Sequence, residues 1–304
     1  SQIEKDLLDA VLYAPDNTPG NKTLFSKSVA RTLLAKIYAE KPLRDYTKVI
    51  QYCDEVKADG FDLVDDFSDL FGMNAAGTDA KMRNTKESIL EAQFTSGAGN
   101  WCTWMFGRDL VNWNNNFTWA KWVTPSRDLI SAFKQEGDEV RFKESIVYYD
   151  CNWSNYYPSD NYPFMYKCRS ANSSIIKYRY ADVLLLKAEA LIMQDTPDLE
   201  GAADIIDEVR DRAKLGALPT SVRSNKNVLL NALLKERRLE LAFEGQRWFD
   251  LVRLDKVEEV MNAVYSKDSG RKAQIYTFDK NSYRLPIPQS VIDANDKIHQ
   301  NPGY

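Results

Sequence analysis

The chain has 304 residues, enough to bury a sizeable core as one large domain or as two closely packed ones. Its formal net charge of −4 argues against a nucleic-acid partner, because phosphate binding depends on clustered cationic side chains. No apolar run approaches the roughly 18 residues that a membrane-spanning helix needs. With one histidine and four cysteines that form no C-x-x-C pair, the sequence does not match a zinc site, so we expect no metal and no cofactor.

Two stretches of the chain repeat a pattern of helix, short turn and helix. Residues 30–39 read ARTLLAKIYA and residues 181–190 read ADVLLLKAEA, with alanine, leucine and lysine at matching places. Further along each copy, CDEVK matches IDEVR. Small residues on the first helix allow the second to approach closely, as in tetratricopeptide-type repeats. The pattern predicts helical hairpins at about 24–60 and 177–215.

A third hairpin is predicted at about 225–266. Its first helix, NKNVLLNALLKERRLELAFEG, has leucine and phenylalanine at spacings of three and four and ends at Gly245; QRWFDLVRLDKVEEVMNAVY continues as its partner helix. The residues expected to be buried between these two helices are Leu239, Phe243, Trp248 and Leu251. The charged residues expected to brace packed helices through ion pairs, rather than to perform chemistry, are Arg237, Glu240, Glu244 and Arg247.

The region at about 71–176 has poor helical periodicity. ESILEAQF is predicted to be a short strand and SRDLISAFKQ a helix, and the rest is loop rich in Asn, Trp, Tyr and Pro. Loops of this length in a folded domain are usually functional or disordered, and the aromatic content argues against disorder. Cys151 and Cys168 bracket one of the loops, where they either form a disulfide or remain thiols. The tail at about 268–304 has short extended pieces.

Two aromatic segments within this region have the chemistry of a sugar-binding surface. Residues 100–122, NWCTWMFGRDLVNWNNNFTWAKW, hold five of the seven tryptophans, and residues 148–166, YYDCNWSNYYPSDNYPFMY, combine similar residues. Pyranose rings stack their C–H faces on aromatic rings, while their hydroxyls bond to groups such as the asparagine amide, which both donates and accepts. The predicted glycan-binding residues are Trp101, Trp104, Trp113, Asn115, Trp153, Asn155, Tyr156 and Tyr157.

The competing interpretation is that these rings fill the core of a loop-rich lobe, as large aromatic residues usually do. Trp119 and Trp122 are three residues apart and fit a core-facing stripe. Trp113 precedes three asparagines and fits an exposed position. We expect the segment to act as a sugar-stacking platform that is partly packed into its own lobe.

Several stretches together resemble the SusD/RagB family, the glycan-binding surface lipoproteins of Bacteroidetes nutrient-uptake systems. They are KYRYADVLLLKAEAL, IIDEVRDRAKLGAL, ERRLELAFEGQRWFDLVRL and the closing RLPIPQSVIDANDKIHQNPGY. The resemblance implies a single mainly α domain over residues 1–304, in which tetratricopeptide-like hairpins scaffold an irregular, loop-rich lobe. It also implies a non-catalytic outer-membrane protein, exposed at the cell surface, that captures oligosaccharides for a SusC-like TonB-dependent transporter.

One departure from the family concerns length. Family members are typically far longer, with a lipidated N-terminal cysteine and a further N-terminal helical region. We therefore expect this chain to correspond to the C-terminal part of such a protein or to a short relative, with its lipid anchor outside the chain. The family signatures are mostly scaffold, so the resemblance assigns no individual sugar-binding residue.

Other functional classes fit the sequence less well. A glycoside hydrolase needs paired carboxylates, and Asp109 is the sole carboxylate in residues 100–122. A Ser-His-Asp or Cys-His site would depend on His299 alone, in the tail. A peptide-capturing protein of the same fold is an alternative, but peptide recognition favours strand edges and charged pockets over stacked tryptophans. A general interaction scaffold is another, since helical hairpin repeats often have that role.

Overall fold

Helices dominate the computed structural model, which describes residues 1–95, 99–100, 123–151, 156–267 and 277–304, with residues 265–267 described by their backbone alone. The α-helices in these ranges are α1 Gln2–Tyr13, α2 Lys27–Ala39, α3 Tyr46–Ala58, α4 Ser68–Phe71, α5 Arg127–Glu136, α6 Glu139–Ser145, α7 Tyr180–Met193, α8 Leu199–Arg212, α9 Thr220–Arg223, α10 Lys226–Glu240, α11 Arg247–Arg253, α12 Val257–Lys267 and α13 Gln289–Ala294. The strands are β1 Ser88–Ala92, β2 Ile146–Tyr149, β3 Tyr162–Met165 and β4 Ile175–Arg179. The predicted mainly α fold class is confirmed.

The chain forms two compact units, residues 1–245 and residues 246–304. In the described part of both units, no helix has the length and apolar composition that crossing a membrane requires.

The first unit contains a layer of helical hairpins. Helix α2 packs against α1 and α3, α3 packs against α7, and α7 packs against α8 and α10. Because α7 has neighbours on several sides, twelve of its fourteen residues are buried, including Asp182 and Glu189. Ala30, Ala35 and Ala39 on α2 are completely buried, and their small side chains let neighbouring helices approach closely. The layer encloses the main apolar core.

The irregular lobe joins this layer through two small antiparallel sheets. Strand β1 pairs with β4, which runs directly into α7, so one sheet extends from the helical layer. Strands β2 and β3 form the other sheet, in a register that places Ile146 opposite Met165 and Tyr149 opposite Tyr162. Helix α5 packs its apolar face, Leu129, Ile130 and Phe133, into a second core together with Ile146 and Leu239. Leu239 therefore connects α10 to the lobe.

A buried ion cluster, defined as Glu240, Arg141, Arg179 and Arg212, links the lobe to the helical layer. Glu240 is completely buried at the end of α10. Its carboxylate accepts hydrogen bonds from Arg179 at 2.5 Å, from Arg141 at 3.0 Å and from Arg212. These arginines come from β4, α6 and α8, so one carboxylate joins four elements.

The electrostatics of the cluster favour the ionised glutamate. Burial alone would raise the pKa of Glu240, but Arg212, Arg179 and Arg141 outweigh burial and hold that pKa well below its usual value of 4.5. Glu87 lies beside the cluster and pairs with Arg179 at 2.7 Å and with Arg212 at 3.0 Å. The predicted bracing role of Glu240 matches these contacts.

A neighbouring network extends the bracing to Lys167 and Glu244. The Lys167 ammonium donates to the Glu244 carboxylate at 2.6 Å and to the Glu240 carbonyl at 2.8 Å. Burial lowers the pKa of Lys167 to about 8, although Glu244 opposes that shift. Arg179 reaches the same glutamate at 2.7 Å. Lys167 follows β3, so this network holds the loop beyond that strand against the end of α10.

A separate buried pair network connects three helices of the layer. Asp182 on α7 accepts from Lys36 of α2 at 2.6 Å and from Arg237 of α10 at 2.8 Å. Burial alone would raise the pKa of Asp182, but the two cations outweigh burial and hold it well below the usual 3.8. The predicted bracing role of Arg237 matches this contact.

The second unit differs from the predicted long partner helix. Two helices, α11 and α12, replace it, because the chain turns at Asp255, whose φ of 54° lies in the left-handed region. Leu251 of α11 is buried, whereas Trp248 is half-buried, as is Phe243 in the first unit. The expectation that all four apolar residues of this motif are buried is therefore wrong for Trp248 and Phe243.

The closing motif of the chain folds back on itself within the second unit. Gln300 exchanges hydrogen bonds with the backbone of Ile287 at 2.8 and 2.9 Å, and Asn301 donates to the Leu285 carbonyl at 2.7 Å. Gly303 has a φ of 96°, and a Cβ there would lie 2.6 Å from the Asn281 Cβ, so the position requires glycine. The Q-N-P-G-Y ending thus has a structural role, because it bonds the end of the chain to the backbone of Leu285 and Ile287.

We expect Glu240→Gln to lower the free energy of unfolding by about 3–5 kcal/mol, because it leaves three buried guanidinium groups without their shared carboxylate. Urea unfolding at pH 7 measures the loss. The matched control is Glu200→Gln, since Glu200 pairs with Arg223 but its side chain is 73% exposed, and its loss should stay below about 1 kcal/mol. Equal losses in the two variants would contradict the role assigned to the ion cluster.

The contribution of Asp182 should depend on pH. The pKa of Asp182 is lower in the folded chain than in the unfolded chain. Its stabilisation of the fold is therefore fully present above the unfolded pKa and is lost as the pH falls through the folded pKa. We expect the difference in unfolding free energy between the wild type and Asp182→Asn to be about 1 kcal/mol smaller at pH 3 than at pH 7. Urea titrations at both pH values measure it, and a difference that grows towards pH 3 would reverse the assignment.

Candidate functional site

Four aromatic rings pack around the β2–β3 sheet and form what we call the aromatic floor: Tyr149, Tyr157, Tyr162 and Phe164. Tyr162 and Phe164 are buried, with ring centroids 5.1 Å apart. Tyr157 meets Tyr162 edge-on at 5.6 Å, and Tyr149 meets Phe164 at 6.2 Å. Tilted and edge-to-face contacts of this kind are favourable, so the floor is a well-packed base for the loops around it.

The chain that follows the tryptophan segment, residues 100–122, is bonded to this floor. The hydroxyl groups of Thr124 and Tyr162 lie 2.9 Å apart and share a hydrogen bond. The Tyr157 hydroxyl donates to the Pro125 carbonyl at 2.7 Å. Both bonds come from floor residues, so the floor fixes the chain where it leaves the segment.

The same segment begins at Asn100, which is buried in the loop that follows β3. Its backbone N–H donates to the Ala171 carbonyl at 2.6 Å. Its side-chain amide donates to the Ser173 carbonyl and to the Cys168 sulfur, both at 3.0 Å. Asn100 is only 1% exposed, so this amide of the segment serves as an anchor and not as a ligand contact.

The second aromatic segment, residues 148–166, contains the floor and is bonded within itself on both sides of residues 152–155. On one side, the Cys151 backbone N–H donates to the Ser159 carbonyl at 2.5 Å. On the other side, Tyr156 meets the Tyr157 ring at 4.8 Å, with the two ring planes at 88°. The chain at both ends of the tryptophan segment and at Cys151 is thus held by the stretch of chain between Tyr156 and Ser173.

Arg127 links the two segments. It is the first residue of α5, and its guanidinium carbon lies 4.3 Å from the centroid of the Tyr156 ring and 4.4 Å from that of Tyr157. The same group donates to the Tyr156 carbonyl. Sequence reasoning missed this residue, because an arginine after a Pro-Ser helix start looks like an ordinary first-turn residue.

The structure describes two of the predicted glycan-binding residues. Tyr156 and Tyr157 are half-buried and adjacent on the floor, with the Tyr157 hydroxyl engaged by a backbone carbonyl. The other six lie outside the described residues: Trp101, Trp104, Trp113, Asn115, Trp153 and Asn155. Cys151 and Cys168 are buried and are not disulfide-bonded to each other. Of the two options that the sequence allowed for this pair, a disulfide or thiols, the structure has the thiols.

Charges near the floor differ in their exposure. Asp150 and Asp160 are exposed to solvent. Arg169 is buried, lies 3.7 Å from the centroid of the Tyr166 ring and pairs with Glu144 at 2.8 Å. Within the described ranges, no group of three or more His, Cys, Asp or Glu residues is arranged to hold a metal ion.

An open groove of about 380 Å³ lies elsewhere, on the helical layer. Its lining includes Asp62, Asp65, Glu208 and Asp211 but no aromatic side chain. It offers no flat face on which a sugar ring can stack, so the floor remains the better candidate.

Comparisons with known proteins agree with this architecture. The model of the SusD family matches residues 162–304. SusD-like protein P38 of Formosa agariphila is 43% identical over 99 residues, an alignment that covers 31% of this chain and 19% of the relative. SusD-like protein P2 of the same organism is 36% identical over 143 residues, covering 45% of this chain and 27% of the relative. The matched parts are therefore less than a third of each curated relative.

A solved structure described as a laminarin binding SusD-like protein matches over the whole fold. Its TM-score with this chain is 0.72 at 25% sequence identity, and the match covers 100% of this chain and 68% of that chain. The similarity includes residues 1–161, which the family model does not reach.

We expect Asn100→Asp to lower the free energy of unfolding by about 1–3 kcal/mol, because a buried carboxylate cannot donate to the Ser173 carbonyl. Urea unfolding measures the loss, and chymotrypsin digestion should cut residues 101–122 faster than in the wild type. Asn161→Asp is the control, since Asn161 is exposed. Unchanged stability and digestion in Asn100→Asp would show that Asn100 is not an anchor.

Proposed function

The chain belongs to the SusD/RagB family, and on that premise we propose that it binds oligosaccharides on a surface built over the aromatic floor, without chemically altering them. Members of this family are glycan-binding proteins and not enzymes. The observation that carries the proposal is that one packed set of rings, which belongs to the second aromatic segment, also holds the chain where it leaves the tryptophan segment.

The floor supports this function because a stacking surface must resist rearrangement. A pyranose gains little from a ring that has to be ordered when the sugar binds, since ordering a side chain costs about 0.5–1.5 kcal/mol. Tyr157 and Tyr162 are already fixed by hydrogen bonds and ring contacts, so they provide a firm base for residues above them. The laminarin-binding relative supports a glycan as the ligand class.

The cellular role proposed here follows the family. We place the protein at the cell surface, associated with the outer membrane through a lipid anchor. There it delivers oligosaccharides to a SusC-like TonB-dependent transporter. Co-purification of the two proteins from membranes solubilised in mild detergent tests the partnership.

The binding test is a titration with neutral oligosaccharides of the laminarin, starch, cellulose and xylan types, with short peptides as the alternative class. Six of the seven tryptophans lie in the two segments and Trp248 does not, so intrinsic fluorescence reports mainly on the proposed site. Saturable fluorescence and calorimetric changes with at least one glycan, and with no peptide, are expected. Release of new reducing ends by the pure protein would overturn the non-catalytic assignment.

We expect Trp113→Ala and Trp153→Ala each to weaken glycan binding roughly five- to 150-fold, judged from the 1–3 kcal/mol of stacking that bases gain on aromatic rings. Melting temperatures should stay close to that of the wild type. Phe249→Ala is the control, because this ring is 60% exposed and belongs to the second unit. Unchanged binding in the double Trp113→Ala, Trp153→Ala variant would remove both segments from the site.

A further inference from the structure

We propose that Arg127 is a positioning residue for the glycan site, which holds Tyr156 and Tyr157 of the second aromatic segment beside the start of α5. This inference rests on the proposed function. Arg127 acts through other residues: its guanidinium contacts Tyr156 and Tyr157, which are among the predicted glycan-binding residues.

The backbone of Arg127 is fixed by the start of α5. Ser126 caps the helix by accepting from the Leu129 N–H at 3.1 Å, and Leu129 and Ile130 anchor the helix in the second core. Asp128, the next residue, pairs with Arg238 of α10 at 2.6 Å. The guanidinium therefore projects from a rigid point of the lobe.

The side chain then reaches into the second aromatic segment. Tyr156 is the first described residue after residues 152–155, and Arg127 contacts both its ring and its carbonyl. Thr124 and Pro125, just before α5, are bonded to the floor tyrosines. One arginine thus ties the chain that leaves the tryptophan segment to Tyr156 and Tyr157.

The contact requires a guanidinium. The two tyrosine rings stand at 88° to each other, and one group lies within 4.4 Å of both centroids while it also donates to a carbonyl. A planar guanidinium combines ring contact with directional N–H donors, whereas the compact ammonium of lysine does not reproduce that geometry. Lysine should therefore fail to rescue the position.

The experiment measures glycan affinity by tryptophan fluorescence in Arg127→Met and Arg127→Lys, with the best-binding oligosaccharide of the wild type as the probe. We expect both variants to bind roughly five- to thirtyfold more weakly, the ratio that a partly desolvated cation–π contact provides. Arg31→Met is the matched control, because Arg31 is also half-buried but pairs with Glu55 and Asp59 in the helical layer. It should bind like the wild type.

A double-mutant cycle with Tyr156→Ala separates positioning from general stability. If Arg127 acts through Tyr156, the double variant should bind within about twofold of the weaker single variant, because the second change removes an interaction already lost. Effects that multiply would overturn the proposal. The proposal would also be overturned if Arg127→Met lowered the melting temperature but bound the glycan with wild-type affinity. If the wild type itself binds no glycan, the proposed function fails and not this inference alone.

Discussion

The three arginines bonded to Glu240 set the arrangement on which the first unit depends. The carboxylate and its partners are almost completely buried, so each charge loses hydration and has to regain it from its neighbours. Such a site tolerates a single geometry, because displacing any one arginine deprives the buried carboxylates that it contacts of a counter-ion. The elements that contribute them, β4, α6 and α8, are thereby fixed relative to α10. The lobe is positioned by charge as well as by apolar contact.

The fold was largely predictable because its determinants are local. The repeated pattern in ARTLLAKIYA and ADVLLLKAEA identified helices that the structure contains as α2 and α7. Contacts over long sequence distances were not predictable: ERRLEL indicated ion pairs, but nothing in it named Arg141 or Arg179 as partners of Glu240. The break at Asp255 was also missed, since aspartate adopts a left-handed conformation too rarely for the sequence to predict it.

The sequence predicts a chemistry for the candidate site but not the contacts that build it. Tryptophan and asparagine content indicated sugar stacking, yet composition does not tell a ligand-facing amide from an anchoring one. Asn100 shows the difference, because its amide donates to the Ser173 carbonyl and the Cys168 sulfur. Arg127 shows the converse, since its partners Tyr156 and Tyr157 are far from it in sequence and their contact depends on how α5 docks.

Most of the bonds that anchor the two segments share a chemical feature that bears on how such a site can change. Asn100 bonds to the Ala171 and Ser173 carbonyls, Tyr157 to the Pro125 carbonyl and Arg127 to the Tyr156 carbonyl. Each of these bonds ends on a backbone oxygen, which every residue type provides. Substitutions at residues 101–122 and 152–155 therefore leave the donors and the accepting oxygens in place, whereas substitutions of the anchors remove the donors. A binding surface held in this way can vary its ligand contacts while the buried ion cluster and the floor keep its position.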